Sequence, residues 1–214
     1  MTLNLKTSTA TIEHSIKLAS GTVIPSYDLR YETYGKLNQD KSNAVLICHA
    51  LSGNHHAAGK YDNEDKHGWW NNMIGPGKPI DTNSLYVVCL NNIGGCHGST
   101  GPNTKDEKTG KYFGMNFPIV TVSDWVNTQK SLMDYLKIPK WNFVIGGSLG
   151  GMQAMQWAFQ FPTFVDNCII IAAAPKLTAQ NIAFNEVARQ AIMKDPNWCG
   201  GDYLNQNKLP DKGL

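Results

Sequence analysis

Long apolar runs are missing from this sequence. The most hydrophobic one, Cys168 to Pro175, is far shorter than the roughly 20 residues a membrane-spanning helix needs. The first fifteen residues, Met1 to Ser15, lack the apolar core of a secretory signal. A soluble, cytoplasmic protein is therefore expected. One-sided charge is missing too: the formal net charge is +2 and the lysines are scattered, which gives no footprint for nucleic acid. A CxxC pair is absent, and the five cysteines are an odd number. Cys48, Cys89 and Cys168 fall inside strand-like apolar runs, so buried reduced thiols are expected instead of a disulfide framework. Zinc-type spacing is also lacking. His49, His55 and His56 have no carboxylate at ligand spacing, and adjacent histidines cannot both face one ion from a regular element. No metal or redox cofactor is expected. The last absence is positional: His14, His49, His55, His56, His67 and His97 are all the histidines there are, and none follows residue 97.

What is present is an ordinary globular composition, 42% hydrophobic and 17% charged. Residues 8–34 alternate loosely around Gly21, as an antiparallel hairpin does. Four continuous apolar runs follow: Ala44 to Cys48, Tyr86 to Leu90, Asn142 to Ile145 and Cys168 to Ile171. Such runs suit strands covered on both faces. Val122, Val126, Gln129, Met133 and Leu136 recur at helical spacing, with Ser123 as the expected cap and Pro139 just past the end. Met152 to Phe159 reads as another helix, and Ile182 to Ile192 as a third, broken at Asp195-Pro196. Buried strands alternating with helices define an α/β protein whose sheet is mostly parallel and flanked by helices on both faces.

Against that pattern, Gly146-Gly147-Ser148-Leu149-Gly150 is G-x-S-x-G between a strand and a helix. A sharp turn there strains the serine backbone and lifts its hydroxyl clear of the sheet, while the glycines let strand and helix pass closely. Ser148 is thus the candidate nucleophile of an α/β-hydrolase fold. An oxyanion forming on its substrate needs two N–H donors. One is the residue after the serine, Leu149; the other belongs to the loop after an earlier central strand, where Leu51 is the candidate. His49, at the end of that strand, reads as a brace for the loop and not as a base. In this fold the acid and the histidine of a triad follow the serine. No histidine does, and Asp166, Glu186, Asp195, Asp202 and Asp211 do not read as a strand-end triad acid. The expectation is an amino-terminal portion of a longer protein, truncated before the last strands of the sheet, with the triad Asp and His beyond Leu214.

Other features carry less. The Gly94 to Gly101 loop lacks the Gly-Lys-Ser/Thr ending of a P-loop and reads as a wall of the active-site mouth. Trp69, Trp70 and Trp157 read as packing residues. Cys96 and Cys199 have nothing basic and conformationally fixed evident beside them and read as inert.

Several segments together resemble the homoserine O-acetyltransferase family. They are His49-Ala50-Leu51-Ser52-Gly53, Asn91 through Pro102, Phe117-Pro118 with Val120-Thr121 and Asp124, Gly146 through Gln153, and Phe184-Asn185-Glu186 through Asp195-Pro196-Asn197-Trp198. The resemblance implies an acyl-enzyme on Ser148 with Leu51 and Leu149 as oxyanion donors. It implies acetyl-CoA as co-substrate, the side-chain hydroxyl of L-homoserine as acceptor, a place in methionine biosynthesis and a homodimer. It also implies that residues 1–177 belong to the hydrolase core and 178–214 begin a helical lid. A succinyl-CoA-dependent homoserine or serine O-succinyltransferase, and a serine esterase on the same elbow, are the alternatives. A non-catalytic interaction protein on this fold is the remaining contrast.

Overall fold

The computed structural model describes residues 5–62 and 64–211. Its centre is a six-stranded sheet: β1 (Lys6–Ile12), β2 (Tyr27–Tyr34), β3 (Ala44–Cys48), β4 (Tyr86–Leu90), β5 (Trp141–Gly147) and β6 (Val165–Ile171). The spatial order is β1-β2-β4-β3-β5-β6. β1 runs antiparallel to β2 from the Lys6–Thr33 pair to the Ile12–Tyr27 pair, and β2 runs antiparallel to β4. The remaining pairings, β4 with β3, β3 with β5 and β5 with β6, are parallel. The hairpin expected around Gly21 is present as a short inner pairing of Ile16–Lys17 with Val23–Ile24, and the longer β1–β2 ladder continues it.

The apolar runs explain themselves once the sheet has two covered faces. Side chains alternate along a strand, so a strand buried on both sides must be apolar at every position. Ala44, Leu46 and Cys48 of β3 enter one core cluster, and Val45 and Ile47 the other. The first face is covered by α1 (Val122–Tyr135) and α2 (Leu149–Gln160), through Val126, Leu132, Met133, Ala154 and Trp157. The second is covered by the irregular segment after β3, through Ala57, Ala58, Ile74 and Ile80. β6 differs. It pairs only with β5 among the described residues, and Ile169, Ile170 and Ile171 are 41–42% exposed.

The start of α1 departs from the expected cap. Thr121, not Ser123, is the N-cap: its hydroxyl accepts from the Asp124 N–H, while the Asp124 carboxylate accepts from the Thr121 N–H at 2.8 Å. Ser123 already lies inside the helix, where its hydroxyl donates to Gln160. Threonine wins because a carboxylate three residues on completes a reciprocal capping box, which serine at 123 has no partner to form. Asp124 also accepts from the Ala19 N–H at 2.8 Å, fastening the amino-terminal hairpin to the helix. The third helix, α3 (Ala179–Met193), leaves Ile182, Phe184 and Val187 exposed. Among the described residues no helix is long and apolar enough to cross a membrane.

Candidate active site

β5 ends at Gly147 and α2 begins at Leu149, so Ser148 alone makes the turn between them. Its backbone sits at φ 53°, ψ −121°, a region that costs a non-glycine residue about 1–3 kcal/mol. The backbone groups around it are occupied. The Ser148 N–H donates to the Ile171 carbonyl at 2.9 Å, and the Ser148 carbonyl accepts from Gly151 and Met152. The side chain is exposed, and its hydroxyl makes no hydrogen bond among the described residues. The flanking glycines are required by space. A Cβ at 146 would overlap the Gly150 carbonyl, one at 150 would overlap the Cys48 carbonyl, and one at 151 would lie 2.6 Å from the Ala173 Cβ. Gly147 is different, since its nearest neighbour would be Ile171 at 3.9 Å.

The overlap at Gly150 means that α2 starts directly against the end of β3, where the loop His49 to Gly53 begins. The Gly53 N–H donates to the Ala50 carbonyl at 3.0 Å and folds that loop into a turn around Leu51. The Leu51 side chain is 79% exposed, so burial does not explain its position. Its N–H donates to nothing among the described residues. Leu149, as the first residue of α2, carries an N–H with no acceptor inside the helix. Leu51 and Leu149 line one cavity of about 260 Å³, together with His49, Asn92, Gly94 and Trp125. The two residues expected to donate thus line a shared space, and Ser148 directly precedes one of them. The Gly94 side of the glycine-rich loop forms a wall of it.

His49 is used up structurally. Its Nε2 accepts from the Asn92 N–H at 3.3 Å, so the proton sits on Nδ1, which donates to the Ala50 carbonyl at 2.8 Å. Burial lowers its pKa and keeps the ring neutral. The Ala50 carbonyl and the Leu51 N–H belong to one planar trans peptide, so holding the first aims the second the opposite way. His49 therefore orients the loop and has no free nitrogen with which to take a proton from Ser148.

Beneath this loop lies a buried amide network absent from the sequence reading. Gln129 of α1 donates to the Asn92 side chain at 2.9 Å and to Gln153 of α2 at 2.7 Å. Asn92 donates to Gln153 at 3.0 Å, and the Trp157 indole donates to Gln129 at 2.6 Å. Trp157 is thus more than a packing residue. The available signal was Gln129 itself, a polar side chain sitting in the buried register of an amphipathic helix.

A second buried cluster lies on β2. Glu32 accepts from Thr7 at 2.8 Å, Tyr34 at 2.5 Å, His56 at 3.0 Å and Tyr61. Burial would raise its pKa, but these donors overcome that and lower it. The Tyr34 hydroxyl in turn accepts from the Ala57 and Ala58 N–H groups, which pins the segment following the oxyanion-side loop. His56 Nδ1 is thereby committed to Glu32.

Fold and elbow together define the class: the chain belongs to the alpha/beta hydrolase fold family, whose pattern matches residues 43–212. Within that family its likeness runs to homoserine acyltransferases and to esterases. It is 60% identical over 207 residues to the homoserine O-succinyltransferase of Pseudomonas syringae pv. tomato, covering 96% of this chain and 55% of that protein. The crystal structure of homoserine O-acetyltransferase from Bacillus anthracis superposes with a TM-score of 0.89 at 36% identity, covering 98% of this chain and 57% of that one. Esterase E22 superposes with a TM-score of 0.90 at 37% identity, covering 99% and 59%. The chain spans about half the length of the curated relatives it matches.

Proposed function

We propose that this chain carries the nucleophile and the oxyanion site of an acyltransferase that acylates the side-chain hydroxyl of L-homoserine, in methionine biosynthesis. Ser148 Oγ attacks the thioester carbonyl of an acyl-CoA, the N–H groups of Leu51 and Leu149 hold the tetrahedral oxyanion, and the CoA thiol leaves with a proton. The homoserine hydroxyl then attacks the acyl-serine, the same donors hold the second oxyanion, and Ser148 regains its proton as the ester departs. The base in both halves is a histidine that follows the serine, in the order this fold uses for its triad; His49, with both nitrogens engaged, does not serve. The observation that carries this reading is the strained Ser148, its hydroxyl without a hydrogen bond among the described residues, directly before Leu149, which shares one cavity with Leu51. In the same reading residues from 178 onward begin a helical lid, and the protein is a cytoplasmic homodimer.

The acyl group is the finer question. Resemblance in the sequence pointed to acetyl-CoA, and the 36% identical acetyltransferase supports it. The relatives at 59–60% identity are named succinyltransferases and support succinyl-CoA. Water as acceptor is the second reading, supported by the likeness to esterase E22. One experiment separates all of these. The full-length protein is incubated with acetyl-CoA or succinyl-CoA, with and without homoserine, and free CoA and the mass of the Ser148 peptide are measured. The reading requires an acyl adduct on Ser148 without acceptor, and CoA release that depends on homoserine. Release indifferent to homoserine would establish hydrolysis instead.

A further inference from the structure

We infer that Gln153 is a positioning residue that fixes the two oxyanion donors relative to each other; this rests on the proposed roles of Ser148, Leu51 and Leu149. Gln153 is fully buried in the first turns of α2. Its Nε2 donates to the His49 carbonyl at 3.0 Å and to the Leu149 carbonyl at 3.3 Å. One of these belongs to the loop that presents the Leu51 N–H, and the other to the residue that presents the second N–H. Its Oε1 accepts from Asn92 and from Gln129. All four hydrogen-bonding positions of the amide are therefore filled, which leaves the side chain a single orientation.

The consequence is geometric. An oxyanion donor works only when preorganised to within a fraction of an ångström of where the charge develops. The two donors here come from segments about a hundred residues apart in sequence, the loop after β3 and the start of α2. A single amide that grips the main chain of both converts two independent positions into one. Asn92 completes the arrangement: it accepts from Gln129, donates to Gln153 and offers its own N–H to the His49 ring. Gln153 itself lines none of the cavity and touches no reacting atom. Its effect should fall on the rate of acylation and not on the capture of substrate.

The test uses the full-length protein and follows CoA release with acetyl-CoA, succinyl-CoA and homoserine. Gln153→Met keeps the shape and deletes all four hydrogen bonds. Gln153→Glu keeps the acceptor and loses both donated bonds. Tyr34→Phe, which loses a buried hydroxyl on the other face of the sheet, is the stability control. Each Gln153 variant should lower kcat by about 10- to 100-fold, less than deletion of a whole donor, with KM changed by less than about threefold. Tyr34→Phe should lower the melting temperature and leave kcat within about threefold of the parent. Should Gln153→Met fail to fold, Gln153→Glu decides on the same measurements. Parental kcat in a folded Gln153 variant, or an equal kcat loss in Tyr34→Phe, overturns the inference. Ser148→Ala is run alongside. If it turns over normally, the proposed function has failed; if it is dead while Gln153→Met is fully active, only the positioning role has failed.

Discussion

The carbonyl oxygen of Cys48 occupies the space that a Cβ on residue 150 would need. That single contact presses the start of α2 onto the end of β3, and it brings Leu149 to the same cavity as Leu51. The distance between strand and helix is set here by glycine and by nothing larger.

Glycine substitutions along the elbow should therefore diverge sharply. Gly150→Ala and Gly146→Ala each force a methyl group into backbone that cannot retreat, and should destabilise by about 3 kcal/mol or more. Gly147→Ala meets nothing closer than Ile171 at 3.9 Å and should fall within about 1 kcal/mol of the parent. Denaturant midpoints of the three variants give the comparison. Equal losses in all three would mean that the elbow is not held by contact with β3.

Ser148 should be costly to the fold that holds it. At φ 53° the serine stores strain that glycine would not. Ser148→Gly should be more stable than Ser148→Ala by about 1 kcal/mol, reversing the usual preference for alanine over glycine beside a helix. Both should lack the acyl adduct. A less stable glycine variant would contradict the strained turn.

Much of this was legible because apolar periodicity reports burial directly. β3, β4 and β5 announced themselves as unbroken apolar runs, and the elbow as a serine among glycines between a strand and a helix. Cys168 to Ile171 read as equally buried and is a strand, yet three of its isoleucines are over 40% exposed. The run reports what a strand is suited to, not what covers it. The cap of α1 was misplaced because Thr121 and Ser123 are both good caps locally, and only the Asp124 carboxylate decides between them. The Gln129, Gln153, Asn92 and His49 network was not legible as a network. Polar residues scattered over a hundred positions carry no periodic signal of their own, and only the fold brings them together.

Acid should loosen the structure in two stages. Burial pushes the His55 pKa down to about 4 and also lowers that of His49, so both stay neutral in the folded protein while the unfolded chain takes up protons below about pH 6.5. Stability should fall as pH drops from about 6.5 toward 4. Glu32 acts lower. With its folded pKa held below 4.5, it contributes stability above that value and loses it as pH falls through the folded pKa. His55→Leu should flatten the first stage, by at most about 1.4 kcal/mol per pH unit. Glu32→Gln should cost about 2–4 kcal/mol near neutrality, a penalty that shrinks in strong acid. Urea midpoints measured from about pH 2 to 7.5 would show both stages, and an unchanged slope between about pH 4 and 6.5 in His55→Leu would contradict the first.

The Leu51 donor is a backbone group, and that separates two substitutions at one position. The Leu51 side chain is exposed, so Leu51→Ala removes little packing and should keep most of the activity. Leu51→Pro deletes the N–H and should lower kcat by about 10²- to 10³-fold, the usual loss for one oxyanion donor. Proline could also disturb the turn, so the His49 ring supplies an independent handle on the same N–H. Its Nδ1–H holds the Ala50 carbonyl and so aims the Leu51 peptide. His49→Asn can place an amide N–H where Nδ1 was, whereas His49→Phe cannot. The order of kcat in the full-length protein should be parent, then His49→Asn, then His49→Phe, with KM changing less than kcat. Were His49 the general base, asparagine and phenylalanine would be equally inactive, because neither can take the serine proton. Partial rescue by asparagine, together with the gap between Leu51→Ala and Leu51→Pro, would locate the defect in the direction of one N–H bond.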